Sequence, residues 1–424
     1  MSLTRSVDVL VIGAGPSGLA AATALRNSGV EMVEVVDREL IAGGIPRHCL
    51  HTGFGVRDQH RVLSGPRYAQ RLSELAARSG AVIRTGVMVT GWDPLAGLAG
   101  LAPGRAHGLG VFTTSPAGCE RILAGAVVLA TGARERPRNA RLVPGDRPAG
   151  IWTTGQLQQS VHLRHAPIGT VAVVVGAELV SHSAVVTLAH AGVRVAAMLT
   201  DQPRSQISKE LSRLATARYR YRLLTGARLA RIIGRSTVTA VEVIDSLGVR
   251  QIISCDTVVF TGDWVPDHEL ARAAGLEMDP RSRGPLVDTG FRTTAAGVFA
   301  VGNLVHPVEA ADVCALDGPA VVPGVLAHLA GELPGRRLAL LPRGALAWVA
   351  PGALDPRAAP PRHKFVLWAA HVVERPVVRV LQGERQLHRA RLLSALVPGR
   401  PAHLSSSWAK LVDPFGGPIT ITTD

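Results

Sequence analysis

The first residues able to do chemistry together are three glycines and an acid: Gly13, Gly15 and Gly18, with Asp37 nineteen residues past the last of them. They follow Val7-Asp8-Val9-Leu10-Val11-Ile12, a β-branched apolar run that reads as a buried strand. They precede Leu19-Ala20-Ala21-Ala22, which opens a helix. At this spacing Gly13 permits a tight turn, Gly15 lets the backbone approach a pyrophosphate, and Gly18 lets helix and strand pack closely. Phosphate oxygens would then meet unpaired N–H groups at the positive end of the helix, whose first turn begins Pro16-Ser17. Asp37 ends the apolar strand Met32 to Val36, where it can accept from a ribose hydroxyl. A bare GxGxxG is weak, but strand, helix and spaced acid together point to a dinucleotide. The alternative is a tight strand–helix turn with no ligand.

Other candidates follow Asp37 directly. The loop Ala42-Gly43-Gly44-Ile45-Pro46-Arg47-His48-Cys49-Leu50-His51-Thr52-Gly53-Phe54-Gly55 is too rich in glycine for a helix and should lie against whatever the cradle holds. His51 is the candidate catalytic polar group and Arg47 the candidate anion contact; for His51 a loop-stabilising hydrogen bond is the competing role. Cys49, Cys119, Cys255 and Cys314 stand far apart with no CxxC, which excludes a Cys-rich iron–sulfur module and a redox-active dithiol. Cys49 has no resolving partner nearby in sequence, so it is expected to be inert. The fifteen histidines are dispersed, and neither a metal-ligand spacing nor a Ser/His/Asp arrangement is present.

A chain of 424 residues, 47% of them hydrophobic, calls for two or three domains with sizeable cores. The net charge of +14 is almost entirely arginine: only Lys209, Lys364 and Lys410 are lysine. With basic residues scattered and three tyrosines to stack bases, nucleic-acid binding is not expected. The positive field would attract anionic substrates or an acidic partner. The apolar start is explained by the glycine turn rather than a signal peptide. The stretch Val171 to Leu199 carries Glu178, His182, His190 and Arg194, so it is not a membrane span. Cysteine usage fits a reducing cytoplasm.

The elements that must position these groups can be traced along the chain. Gly65-Pro66 starts a helix ending at Gly80; Ala81 to Arg84, Gly86 to Thr90, Val111 to Thr114 and Arg121 to Ala130 read as strands, with a Gly/Ala/Pro-rich hairpin connection over Gly97 to Gly110. The unit then repeats. Gly169 to Val175 is a strand, Gly176-Ala177-Glu178-Leu179-Val180-Ser181 a turn, then come a helix through His190 and a strand from Val193 to Leu199. Aligning Gly176 with Gly13 puts Gly192 over Gly29 and Thr200 over Asp37. Glu178 thus replaces the glycine that admits a pyrophosphate, Ser181 replaces the third glycine, and the ribose acid is lost. The second copy is read as structurally retained and poor at binding NAD(P), with an unusual but working site as the alternative.

Two further motifs bracket this copy. Ala130-Thr131-Gly132, with Pro137 five residues beyond, resembles the ATG motif of two-dinucleotide flavoproteins, where the chain leaves the flavin domain. Gly297-Val298-Phe299-Ala300-Val301-Gly302-Asn303 resembles their third flavin motif, with Asn303 standing for the usual acid, able to accept a hydrogen bond but uncharged. Val308-Glu309-Ala310-Ala311-Asp312 then leads into a helix reaching Leu329. In such flavoproteins this helix points its N-terminus at the flavin pyrimidine edge, where its dipole favours the anionic reduced form by a few tenths to ~2 kcal/mol. Asp312 also reads simply as a helix-start residue.

Over residues 5 to 330 the chain resembles the two-dinucleotide-binding, glutathione-reductase-like flavoproteins. Within them it resembles the branch containing the larger subunits of opine oxidase, hydrogen cyanide synthase and dye-linked proline dehydrogenase, and flavoproteins encoded beside glycerol-3-phosphate dehydrogenase. The features that carry this are Gly43-Gly44-Ile45-Pro46-Arg47 with His51, Gly53-Phe54-Gly55, Gly65-Pro66, the Gly-Ala-Glu turn, and Gly302-Asn303 before Glu309-Ala310-Ala311-Asp312. The implied fold is α/β, with two Rossmann-like domains, the second inserted in the first, and a small β-rich C-terminal domain. The expected limits are 1–150 with 285–335 for the FAD domain, 151–284 for the degenerate NAD(P)-like domain, and 340–424 for the last. The implied cofactor is FAD, contacted by Gly13, Gly15, Pro16, Ser17, Gly18, Asp37, Arg38, Gly44, Ile45, Ala130, Thr131, Gly132, Gly302, Asn303, Ala311 and Asp312. The resemblance implies oxidation of a small amine, amino-acid, opine or polyol-phosphate substrate together with a second flavoprotein, in an oligomer. Any iron–sulfur cluster would come from another subunit. Two other functions stay open: a free-standing NAD(P)H-dependent flavin reductase, and a non-catalytic assembly or sensor protein that keeps FAD as structure.

Overall fold

The apolar run before the first glycine turn is β1 (Leu3–Ile12), followed by α1 (Pro16–Asn27) and β2 (Val33–Asp37). Val9, Leu10, Val11 and Val35 are fully buried, as strands of a parallel sheet covered on both faces must be. Next come α2 (Gly65–Arg78), β3 (Val82–Thr85), β4 (Met88–Trp92), β5 (Leu109–Ser115) and β6 (Gly118–Leu129). The sheet order is β3–β2–β1–β6–β5–β4, parallel from β3 through β6 and antiparallel beyond. The computed structural model describes residues 3–95 and 108–423, so most of the connection expected over Gly97 to Gly110 lies outside the described residues.

The chain divides into two compact units: Met1–Arg47 with Thr52–Ala133 and Val265–Asp424, and His48–His51 with Arg134–Trp264. In the second, β7 (Ile151–Thr153), α3 (Thr154–His162), β8 (Val171–Val175), α4 (Leu179–His190), β9 (Arg194–Leu199), α5 (Lys209–Tyr219) and β10 (Arg222–Leu224) lead to an antiparallel trio. The trio is β11 (Arg228–Ile233), β12 (Ala240–Ile244) and β13 (Arg250–Ser254). Then β14 (Thr257–Phe260) completes a parallel sheet ordered β7–β14–β8–β9–β10.

The repeat read from the sequence is matched in three pairs of backbone hydrogen bonds. Gly13 donates to Val36 O at 2.8 Å and Gly176 to Leu199 O at 2.8 Å. Gly43 N–H donates to Ala14 O at 2.7 Å, and thirty residues past Gly176, Gln206 N–H donates to Ala177 O at 3.1 Å. Ala130 N–H reaches Ile12 O at 2.8 Å, and Thr261 N–H reaches Val175 O at 2.9 Å.

The first unit resumes with β15 (Val298–Ala300), which pairs with Val127 to Leu129 at the end of β6. The single helix expected to reach Leu329 is two segments, α6 (Ala311–Ala315) and α7 (Asp317–Leu329). Pro319 lacks the N–H that would bond Ala315 O and its ring crowds that carbonyl, so the helix is interrupted at Leu316. Among the described residues, Ala311–Leu329 is the stretch long and apolar enough to cross a membrane, and half of its apolar window is buried within the structure. Gly318 lies so close to α1 that a Cβ there would collide with Ala20 and Ala21.

The second unit's limits, Arg134 and Trp264, lie outside and inside the 151 and 284 read from the sequence. Arg138 donates to the carbonyls of Val143, Pro144, Gly145 and Asp146, and Gly145 is backed against Ile232, which draws that segment into the second unit. Trp92 Nε1 donates to Leu270 O at 2.8 Å, which holds the residues after 264 in the first.

Residues beyond 335 form β16 (Leu338–Pro342), β17 (Leu346–Ala350), β18 (Ala353–Leu354), β19 (Lys364–Ala369), β20 (Val377–Gln382), β21 (Arg385–Arg391), β22 (Ala402–Ser405) and β23 (Ile419–Thr423). One sheet runs β18–β16–β23–β20–β21 and the other β17–β19–β22, around a core that includes Phe365 stacked on Trp408 at 5.1 Å. This module belongs to the first unit. Trp348, Ala350 and Val366 join the main core, and Arg292 bridges Asp288 and Asp355.

Candidate functional site

The three glycines do different work. Gly13 has φ +110° and a Cβ there would collide with Ala130 O; one at Gly18 would collide with Gly13 O. These two are demanded by the fold. Gly15 is not: its φ of −82° is ordinary, and a Cβ would meet nothing within 4 Å. The space it leaves open lies at the N-cap of α1, where the N–H groups of the first turn lack helical partners. That open cradle fits a pyrophosphate.

Around it the other sequence candidates converge. Asp37 Oδ2 accepts from Ala14 N–H at 2.6 Å and Oδ1 from Glu39 N–H at 2.8 Å, so the carboxylate is fixed at the mouth of the turn. Gly44 adopts φ +62° with its absent Cβ 2.9 Å from Gly15 Cα, which lays the loop along the cradle; Ile45 beside it is exposed. Arg38 pairs with Asp267 at 3.1 Å. The backbone of Asp267 in turn accepts from Thr131 Oγ1 at 2.7 Å and donates to Gly132 O at 2.9 Å, tying the first motif to the second. Gly302, at φ +69°, is seated where a Cβ would collide with Ser17 Oγ, so the third motif abuts the first turn of α1.

Arg47 and Asn303 use their polar groups within the chain, and His51 groups apart from them. Arg47, the anion contact read from the sequence, is largely buried and makes an ion pair with Glu39 at 3.1 Å, so its charge is already met within the chain. His51 groups with the second unit, alongside His48; Arg47 and Thr52 on either side group with the first. Asn303 turns both ends of its carboxamide to Glu309: Oδ1 accepts from Glu309 N–H at 2.8 Å and Nδ2 donates to Glu309 O at 3.1 Å.

Asp312 sits in the first turn of α6, 2% exposed, and accepts from Arg57 N–H and Nη1, each at 3.1 Å. Beside Ala311, whose carbonyl is 3.5 Å from Tyr68 Oη, the loop after Gly55 adds polar groups that the sequence did not single out. Tyr68 Oη donates to Asp58 at 2.7 Å, and the Gln59 side chain, its polar atoms buried, is a further hydrogen-bond partner of that carboxyl. Burial, with the Asp312 charge adding to it, pushes the Asp58 carboxyl above its ordinary value despite the tyrosine hydrogen bond. No sequence signal marked these residues, because nothing in a glycine-rich loop says which side chains turn inward.

In the second unit, Glu178 is 6% exposed, and its Oε1 lacks a partner. It folds over its own turn, with Oε2 2.7 Å from where a Gly176 Cβ would stand and Oε1 3.1 Å from the corresponding point at Gly262. Ser181 Oγ is tied to Thr261 Oγ1 at 2.7 Å. A second buried acid, Glu135, caps the start of α3 through Thr154 and Gly155 N–H at 3.2 and 2.9 Å. Burial raises its pKa, and the Glu178 charge pushes the same way. These residues do not fit a dinucleotide pyrophosphate: the volume that Gly15 leaves open in the first unit is filled here by a carboxylate. Among the described residues no cluster of His, Cys, Asp and Glu could hold a metal ion. Burial pushes the Cys49 thiol up to about 12 and Cys255 to about 11, and none of the four cysteines is joined in a disulfide.

Residues 7–318 match the pyridine nucleotide-disulphide oxidoreductase family. An opine oxidase subunit of Agrobacterium tumefaciens (strain Ach5) is 29% identical over 325 residues, covering 71% of this chain and 62% of that protein. The chain thus spans about six-tenths of the length of that relative. Thioredoxin reductase from T. acidophilum superposes with a TM-score of 0.63 at 20% identity, over 76% of this chain and 98% of that one. L-proline dehydrogenase from P. horikoshii gives 0.54 at 18% identity, over 78% and 57%. The fold is the two-dinucleotide-binding fold of the FAD-dependent oxidoreductases. The chain belongs to the pyridine nucleotide-disulphide oxidoreductase family, in which NAD(P) is also used.

Proposed function

We propose that this chain is the FAD-carrying dehydrogenase or electron-transfer subunit of a flavoprotein complex that oxidises a small amine, amino-acid, opine or glycerol-phosphate-like substrate. The observation that carries the reading is the contrast between the twin turns: open at Gly15, filled at Glu178. A chain that keeps one cradle and blocks the other takes its electrons from a source other than a nicotinamide docked on its own second fold. FAD, when bound, accepts a hydride at N5 and passes electrons on singly or in pairs. The chain's residues hold and orient it. The α1 turn bears the pyrophosphate, Asp37 accepts from the adenosine ribose, Ala130 to Gly132 and Arg38 close the first two motifs together, and Gly302-Asn303 closes the third. Arg57 pairs the Asp312 carboxylate, so no unpaired negative charge would face a flavin at the start of α6.

The opine oxidase relative is itself named as one subunit of a larger enzyme, which supports a partner chain, here a second flavoprotein that oxidises the substrate. Four cysteines outside any disulfide, with no dithiol pair, support a reducing, cytoplasmic setting, and any iron–sulfur cluster belongs to another subunit. An anaerobic titration tests this. The purified yellow protein should keep its flavin absorbance for minutes in excess NADH or NADPH and lose it when the partner and substrate are added. Rapid bleaching by either nucleotide alone would make it a free-standing reductase. Resistance to every reductant, dithionite-linked dyes included, would make the flavin structural.

A further inference from the structure

The C-terminal module carries no motif, yet the structure joins it to the turn of the third flavin motif. We propose that His403, in β22, is a positioning residue for that turn, acting through Glu309 and Asn303; the inference rests on FAD occupying the first cradle. His403 Nε2 lies 2.8 Å from Glu309 Oε1. Glu309 is 6% exposed, and its backbone N–H and C=O are the two groups that close a ring of hydrogen bonds on the Asn303 carboxamide, at 2.8 and 3.1 Å. Asn303 directly follows Gly302, which is wedged against Ser17 in the first turn of α1. The path from the module to the cradle is therefore three contacts long.

The opposite side of the turn is held separately. Gly302 N–H donates to Asp317 Oδ2 at 3.1 Å, and His306 Nε2 approaches the same oxygen at 2.5 Å. With that side fixed, the Glu309–His403 pair decides where Asn303 sits. Burial works against the Glu309 charge, but the His403 hydrogen bond and the charges of His306, His403 and Arg362 hold its carboxyl below the ordinary value. A buried carboxylate that loses its donor must find another or move. The backbone it would carry with it is the backbone that clamps Asn303. His403 is itself anchored, since it stands opposite Val366 of β19, whose side chain belongs to the main core of the first unit.

The test compares FAD affinity, by equilibrium dialysis, with melting of the apoprotein for five proteins: wild type, His403→Leu, His403→Gln, Asn303→Ala and the double variant His403→Leu/Asn303→Ala. Loss of a hydrogen bond to a charged group at this position should weaken FAD binding about tenfold or more in His403→Leu. His403→Gln, which keeps a donor, should stay within about threefold of wild type. The effect of His403→Leu should vanish when Asn303 is already alanine, since both then act on one path. Should His403→Leu fail to fold, Glu309→Gln replaces it with the same expected loss. The inference is overturned if wild type binds FAD and His403→Leu binds it equally well. It is also overturned if the losses from His403→Leu and Asn303→Ala simply add. A wild-type protein that takes up no FAD would instead overturn the functional reading beneath it.

Discussion

Gly15→Ala separates the glycine required by a ligand from those required by the fold. At Gly15, φ −82° and ψ −177° suit alanine, and the new Cβ meets nothing within 4 Å. Alanine is a poorer helix N-cap than glycine by about 1 kcal/mol or less. Its lower unfolded-state entropy returns about 0.4–1 kcal/mol. The net change in stability is thus within about 1 kcal/mol, a few degrees in the apoprotein melt. The methyl group projects into the volume reserved for phosphate, and losing one hydrogen bond to a charged group costs about 1.5–3 kcal/mol. That corresponds to FAD binding weakened roughly 10- to 150-fold. Gly18→Ala, by contrast, drives a methyl into Gly13 O and should unfold the first sheet. Equilibrium dialysis with FAD and melting of the two apoproteins give both quantities. A folded Gly15→Ala protein that holds FAD as wild type does would refute the assignment of that space to a phosphate. So would a Gly15→Ala apoprotein as unstable as Gly18→Ala, because it would make this glycine a fold requirement too.

Other outcomes follow from the same geometry. Native protein treated with iodoacetamide at pH 8 should be alkylated at Cys119 alone, because Cys49, Cys255 and Cys314 are buried and burial pushes their thiols well above the ordinary value; a peptide map showing modified Cys49 would contradict this. Burial opposes protonation of His306, but the Asp317 charge and hydrogen bond outweigh it and raise its pKa. The stabilisation from that pair is complete below the unfolded value of about 6.5 and is lost as pH rises through the higher folded value. The melting temperature of wild type should accordingly exceed that of His306→Gln most at pH 6, with the gap closing on the alkaline side; a gap that widens would show the sign to be wrong. Arg57→Ala leaves Asp312, 2% exposed, with a buried charge and no guanidinium; since Arg57 itself is more than half exposed, the stability loss should be about 1–3 kcal/mol, and Asp312→Asn in the same chain should recover part of it.

What the sequence made legible was whatever depends on backbone spacing. The glycine turn, its copy at Gly176 and the third motif at Gly302 rest on glycines where a Cβ would collide with a neighbour, and such positions leave a trace in composition. The length of α2 was readable too, because Pro66 and Gly80 punctuate it. Side-chain traffic was not. Arg47 looked available for an anion because nothing in the sequence announces that Glu39, eight residues back, folds onto it. Asn303 was legible as an uncharged acceptor in place of an acid, but not that its carboxamide is held by the Glu309 backbone. The break at Leu316 was hidden because Pro319 lies in a segment otherwise apolar enough for one long helix. The limits of the inserted unit were displaced because no glycine or proline cluster marks where Arg138 gathers its carbonyls. The role of residues near 403 was invisible because the contact that matters joins positions nearly a hundred residues apart.

The pairing of Val298–Ala300 with the end of β6 has a consequence for how the molecule is made. The strand that seals the sheet beneath the cradle emerges from the ribosome some 170 residues after its partner, with Arg134–Trp264 of the second unit synthesised in between. Local contacts form before distant ones, so the inserted unit acquires its structure while the amino-terminal sheet still has an open flank. Prosthetic-group uptake is then among the last events in biogenesis, and a nascent chain stalled before Val298 should leave the ribosome colourless however much of the glycine turn it already contains.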